Sequence, residues 1–579
     1  MIKKAALLVL FTLLISACDS SPVHKDISID TADTLLVNGK FYTLNAEQPW
    51  AEAVAIKDGK YLYIGDTTAA EQYRGKRTQL LDLQGKMAMP GINDAHQHPE
   101  MGGLKMLYQC VFPFTATPEE IVAAVSLCVK DNPDAEWIIG GQWDSDLFVK
   151  HPIASPKALL DAVSADKPVL LSSDSGHDGW ANSKALAMAG ISKDSPEVEG
   201  GVIGRDTNGE PNGLLLEHAN QLVEQLVPDW SLAQYKAATI YAMKTANQYG
   251  ITGLKDAWTG ESALAAFKAL GDANAVTLHL AAAIDVKYGL DMAVFDVSKL
   301  AALRDKYSAD QVDTRFVKIF MDGVPTSSRT AAMLANYLPT ESGGHSHNGG
   351  LHFDLEKLAE MITAMDKAGF TVKIHTAGDR SVQVTLDAIE QARKANGDSG
   401  LRHELAHAGY IDEADLPRFA ELNAVADLSP YLWHPSPIID SVLGAVGPRG
   451  EQYWPIKDLV ESGAPLAAGS DWPAAVPTMD PWVGIEAMIT RADPRDEFAG
   501  TFWPEQAITL AQALEIYTRG GAKALRLDNE TGSIEQGKSA DLIVLDQNLF
   551  AISSEKISDT QVEMTLFRGK TVYQRVEKN

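Results

Sequence analysis

Cysteine is almost missing from this chain of 579 residues: there are three, and one of them, Cys18, sits in the N-terminal leader. Neither Cys110, in "LYQCVFPF", nor Cys128, in "AAVSLCVK", has a neighbouring base to activate it, so neither is a candidate nucleophile. In an oxidising compartment the two either pair or remain buried free thiols, and their spacing leaves both open. Positive charge is also scarce, with 50 Lys and Arg against 77 Asp and Glu, a net charge of −27. So acidic a chain repels phosphate backbones, which excludes nucleic acid as a partner. Internal repeats and low-complexity tracts are absent too, while 45% hydrophobic and 22% charged residues mark an ordinary globular chain.

The first eighteen residues, "MIKKAALLVLFTLLISAC", join Lys3 and Lys4 to an apolar run from Ala5 to Leu14 and small residues before Cys18. That is a secretory signal, too short to span a bilayer stably. "ISAC" resembles a bacterial lipobox, which implies cleavage after residue 17 and a lipid on Cys18; the plainer reading is a signal peptide cut near Ala17. Residues 18–33 then form a lipidated tether to a membrane. The expected location is the bacterial cell envelope, facing the periplasm, with Asp19 favouring the inner membrane.

Such a length calls for one large catalytic domain and a smaller one. Short apolar strands alternate with amphipathic helices: "MPGINDAHQH", then 252–257, 277–284, 315–323, 371–378, 401–408, 424–430 and 465–471. Eight βα units predict an α/β fold, a (β/α)8 TIM-like barrel over residues 89–530. Residues 34–88 and 531–579 read instead as hairpins with Asn-Gly and Asp-Gly turns, so both chain ends are expected to build one small β-sandwich. Residues 99–245 are a large insertion after the first barrel strand, too rich in structure to be a loop.

Histidines and acids fall at the ends of those strands: His96 and His98 on the first, Lys318 on the fourth, His375 on the fifth, His407 on the sixth and Asp471 after the eighth. Strand C-termini converge on one rim of a barrel, and residues i and i+2 share a face, so these groups can meet. Imidazole and carboxylate together suit a divalent cation such as Zn2+. Lys318 either faces a water-filled mouth or carries an altered charge, and carboxylation by carbon dioxide would make it an anionic ligand.

With these residues stand "GHDGWANSKAL", "GGVIGRDTNGEPNGLLLE", "GITGLKDAW", "VKIFMDG", "IHTAGD", "RHELAHA", "GSDWP" and "GSIEQGKSADLIVLD". In this order they resemble the amidohydrolase superfamily, in its YtcJ-like and N-substituted formamide deformylase-like branch of metal-dependent hydrolases (amidohydrolase family 3). The resemblance implies that His96, His98, Lys318 and Asp471 hold one metal, while His375, His407 and a Lys318 carbamate hold another. It also implies hydrolysis of a non-peptide C–N bond (an amide, N-substituted formamide or cyclic amide), with water activated by the cations and Asp471 as the proton carrier. A Lys318 that stays an amine would leave a single ion. Ala406 and Gln97 depart from the branch's usual residues.

His177, Trp180 and Asn182 match an insertion motif that would line a substrate pocket, or else start a helix capped by Asn182 or Ser183. Trp143, Asp144, Tyr431, Trp433 and His434 are further pocket-wall candidates, and His345 with His347 mark a lid-like loop. "HELAH" (403–407) also spells a zinc-peptidase motif, but Gly400 and Gly409 bracket it too closely for the helix that motif needs. A regulatory lipoprotein that kept the fold without the chemistry is the alternative. The expected partners are a small-molecule substrate and the membrane; a homo-oligomer is compatible with the sequence.

Overall fold

Eight of the apolar segments pair in one all-parallel sheet: β1 Ile92–Gln97, β2 Ile251–Thr259, β3 His279–Asp285, β4 Val312–Phe320, β5 Thr371–Thr376, β6 Glu404–His407, β7 Val425–Leu428 and β8 Leu466–Ala468. The structure is a computed structural model that describes residues 30–173, 178–291, 294–339, 346–474 and 476–576. Cys18 and Asp19, with the signal peptide, lie outside the described residues, as do His177 and His345. Among the described residues, no helix is long and apolar enough to cross a membrane.

The sheet runs in chain order from β1 to β8 and curls so that its two edges meet. At that seam the Asp471 N–H donates to the His96 carbonyl at 2.7 Å. A Cβ on Gly469 would lie 2.3 Å from the His96 nitrogen, so only glycine lets the edges come this close. Helices cover the outside. In Leu355–Lys367, Leu358, Met361, Ile362 and Met365 recur at helical spacing and are all buried, and Asp354 caps the start by accepting from Lys357 N. Each such side chain contributes roughly 1.5–3 kcal/mol when fully buried.

The barrel interior is filled in an unusual way. Ala95, Ala281, Ala283, Val425 and Ala467 pack there with Phe316. Beside these small side chains stand four fully buried charges, Lys255, Lys373, Glu404 and Asp427.

Both chain ends build a second unit. A four-stranded sheet comes from residues 34–82 alone, and a six-stranded sheet joins Lys40–Tyr42, Trp50–Ala51 and Met87–Pro90 to Leu542–Leu545, Val562–Phe567 and Lys570–Gln574. Leu36, Phe41, Val54, Ile56, Leu542 and Leu566 form the core between them. The Asp58-Gly59 turn has φ of 50° and 77°, the doubly left-handed geometry that a two-residue hairpin needs.

Between β1 and β2 the chain makes a third sheet, six-stranded, from Cys110–Val111 to Pro211–Glu217, with apolar cores of its own. Cys110 and Cys128 are joined there by a disulfide, which answers the question their spacing left open. The "HELAH" stretch lies on barrel strand β6 rather than on a helix. Glu404 is consumed by Lys255 and Lys373 and His403 by Asp366, so the zinc-peptidase reading falls.

Candidate metal centre at the barrel rim

Six side chains at or just beyond the ends of five barrel strands make up the candidate site. His96 and His98 straddle the end of β1, His407 ends β6, and Asp471 follows β8 across the seam. Ligand atoms of His96, His407 and Asp471 all lie within 4.8 Å of one another. His98 Nε2 sits 3.3 Å from Asp471 Oδ1, and His96 Nε2 is 3.7 Å from the same oxygen. His375, from β5, meets His407 edge-to-face with ring centroids 4.7 Å apart. Its Nε2 is engaged by the Gly323 carbonyl at 3.0 Å and lies 3.8 Å from Asp322 Oδ1.

Two of these residues hold a backbone that side chains disfavour, with φ of 71° at His407 and 57° at Asp471. Left-handed conformations cost a non-glycine residue of order 1 kcal/mol or more and concentrate where a side chain must be aimed. Asp322 supports the neighbouring turn: its carboxylate accepts from Ala332 N, Ala377 N and Gly378 N at 2.9–3.0 Å, tying the loops after β4 and β5 together.

The electrostatics suit a cation. Burial, reinforced by neighbouring positive charge, holds the His96 and His407 imidazoles well below their usual range, so each ring keeps one nitrogen lone pair at neutral pH. Burial alone would raise the Asp471 carboxyl, but hydrogen bonding from His98 and the charges around it leave it below the ordinary value. Neutral imidazoles facing an ionised carboxylate form the donor set a borderline divalent ion selects.

Lys318 is 1% exposed. Among the described residues it makes no hydrogen bond or ion pair, and its Nζ lies 4.9 Å from the Phe320 ring centre. Burial first, then the nearby Lys373 charge, lowers its amine to about 7. A neutral amine is the form that reacts with carbon dioxide.

Acids that sequence reasoning missed stand behind both β1 imidazoles, but only His96 is hydrogen-bonded to one. His96 Nδ1 is 2.7 Å from Asp427 Oδ2 on β7, and His98 Nδ1 is 3.8 Å from Asp256 Oδ1 on β2. The available signal was one acid or lysine inside an apolar strand, as in "VADL" and "TVKIH".

The residues expected to form pocket walls make defined contacts. Trp143 donates to the Leu171 carbonyl at 3.0 Å, and Trp180 packs against Phe148, both inside the insertion core. Asn182 caps the helix Ser183–Met188 by accepting from Ala185 N at 2.9 Å, which decides for the helix-start reading. Asp144 pairs with Lys150. Tyr431 is buried beneath the 481–490 helix, Trp433 against Trp454, and His434 bonds the Tyr431 carbonyl. In this structure Trp143, Trp180, Asn182, Tyr431 and Trp433 pack or cap where they stand. His347 lies against Tyr337, with ring centroids 5.5 Å apart.

Comparisons with known proteins agree with this architecture. The amidohydrolase family model matches residues 79–573. The putative amidohydrolase YtcJ of Bacillus subtilis is 30% identical, over 93% of this chain and 98% of its own. The N-substituted formamide deformylase of Arthrobacter pascens is 26% identical, over 94% and 98%. An uncharacterised metal-dependent hydrolase from Pyrococcus horikoshii OT3 superposes with a TM-score of 0.71 at 23% identity, over 90% and 99%, a likeness of fold. By this match and these relatives, the chain belongs to the amidohydrolase family and is an enzyme of the metal-dependent hydrolase type.

Proposed function

We propose that the enzyme hydrolyses a non-peptide C–N bond of a small amide, with N-substituted formamides, other amides and cyclic amides as the substrate class. The observation that carries this reading is the meeting of His96, His407 and Asp471 ligand atoms at the rim where all eight strands end. His98, His375 and Lys318 complete the ligand set, and a carboxylated Lys318 would let it hold two ions rather than one. Zinc is the metal this donor set favours. A bound divalent ion supplies Lewis acidity, which polarises a carbonyl and acidifies water.

The chain's own residues supply the rest. The Asp471 carboxylate, which stands 3.3 Å from His98 Nε2 at the rim, accepts the proton of the attacking water and returns it to the departing amine. Asp322 fixes the turn that carries His375. The formamide preference draws on the Arthrobacter pascens relative's name.

Purified protein assayed against N-formyl and N-acyl amines with zinc and with manganese tests the reading. Turnover that disappears in Lys318→Ala along with bound metal supports it. Absence of turnover on the whole panel, with no metal retained, refutes it. Anchoring through Cys18 and a periplasm-facing location form a separate proposal: Cys18→Ala moves the protein from the membrane fraction to the soluble fraction, and an unchanged distribution rules it out.

A further inference from the structure

Beneath the rim, four charges that solvent does not reach run through the barrel in a chain. Lys255, Lys373, Glu404 and Asp427, from β2, β5, β6 and β7, are all 0% exposed. Lys255 Nζ pairs with Glu404 Oε1 and donates to the Ala524 carbonyl at 2.8 Å. Lys373 Nζ lies 2.7 Å from Glu404 Oε2 and also pairs with Asp427 Oδ2. That same Asp427 oxygen meets His96 Nδ1 at 2.7 Å, so the chain ends on a rim imidazole.

The chemistry of the last link is directional. An ionised carboxylate only accepts hydrogen bonds, so His96 must donate through Nδ1–H. A neutral imidazole then keeps its lone pair on Nε2, the nitrogen 3.7 Å from Asp471 Oδ1. Nothing comparable holds the other histidine of the pair, because His98 Nδ1 is buried without a hydrogen-bond partner.

Energetics argue that the chain does more than fill space. Taking two ion pairs out of water is costly, and apolar side chains of similar volume commonly serve stability as well or better. The alanines around the chain would accommodate such a filling. What the ionic version adds is a fixed carboxylate at one position, under His96.

We infer that Asp427, held in place by Lys373, is a positioning residue that locks His96 as its Nδ1–H tautomer and presents Nε2 to the bound cation. This rests on the metal-site reading above, and the experiment separates the two. In metal-free protein labelled with 15N-histidine, long-range proton–nitrogen spectra report each tautomer, and the His96 signal is assigned by its loss in His96→Gln. His96 is expected as Nδ1–H at neutral pH; an Nε2–H ring overturns the inference without touching the metal reading.

Zinc affinity, measured by competition with a chromophoric chelator, supplies the second arm. Asp427→Asn should weaken zinc binding by about 10–100-fold, the usual cost of losing the partner that orients a ligand. Glu404→Gln, equally buried and ion-paired but three links from His96, should lose stability and keep zinc affinity within about twofold. Asp427→Asn binding zinc as tightly as the parent, or Glu404→Gln weakening it equally, reduces the chain to a structural role and refutes the inference. Should Asp427→Asn fail to fold, the tautomer of the unmodified protein decides. A parent that binds no zinc at all refutes the metal reading, and the tautomer still tests this one.

Discussion

Glu404 offers a sharp test of how the barrel is held together. Its carboxylate is fully buried between two lysines, Lys255 at Oε1 and Lys373 at Oε2. In Glu404→Gln, Lys373 keeps Asp427, but Lys255 loses its anionic partner and is left with neutral acceptors such as the Ala524 carbonyl and an approach of 4.1 Å to the Phe316 ring. Breaking one side of a buried pair costs about 3–5 kcal/mol, because a charge is left without its partner. An unfolding entropy of roughly 2.1 cal/mol/K per residue over 579 residues is about 1.2 kcal/mol/K, so the melting temperature should fall by about 2.5–4 °C. Differential scanning calorimetry at fixed scan rate measures it. Replacing both partners, in Lys255→Met with Glu404→Leu, should recover most of that fall, since no lone charge remains. An unchanged melting temperature in Glu404→Gln, or a double variant worse than the single one, would refute the reasoning. Full stability with abolished turnover would assign Glu404 to the chemistry instead.

The Asp541 carboxylate joins the sandwich to the barrel, bonding His279 at 2.9 Å, Arg568 N at 2.9 Å and Ser539 at 2.8 Å. Burial would raise this carboxyl, but the His279 charge and these bonds leave it below its usual range. A group depressed on folding stabilises above its unfolded pKa of about 3.9 and loses that contribution as pH falls through the folded value. Thermal melts from pH 7 into the acid range should therefore show a loss of stability below about pH 4 that is smaller in Asp541→Asn; equal slopes would contradict this. Asn182→Ala removes the helix cap and also strands the Val169 N–H and the Ser164 and Lys167 carbonyls, so it should cost about 3 kcal/mol or more and leave kcat/KM unchanged; a fall in kcat/KM at unaltered stability would return Asn182 to the pocket. Replacing Cys110 and Cys128 by serine opens a link across 18 residues and should cost about 3 kcal/mol by chain entropy, read from urea unfolding. No change there would show that the insertion does not depend on the link.

The sequence carries the barrel well because its strands are dense apolar runs buried on both faces, which punctuation by glycine and proline makes legible. The candidate strand at 371–378 shrinks to Thr371–Thr376 and that at 401–408 to Glu404–His407, the ends becoming the turns that aim side chains inward. The rim residues stand out because H-x-H and strand-end His or Asp are rare in such runs. Lys255, Lys373 and Asp427 stay hidden for the opposite reason: one charge inside a short apolar strand carries no sign of its partner across the barrel. Trp143 and Trp180 are ambiguous in sequence because an aromatic ring near a polar motif has the same letters in a core as in a pocket. Only packing distinguishes the two.

The central claim is that the rim residues hold metal. Anomalous diffraction at the zinc edge, from crystals grown with zinc, tests it most directly. One or two peaks are expected at about 2.0–2.2 Å from the nitrogens and oxygens of His96, His98, His407 and Asp471, lost in Asp471→Ala. Crystals showing no peak there, or zinc bound only at another site, would contradict it.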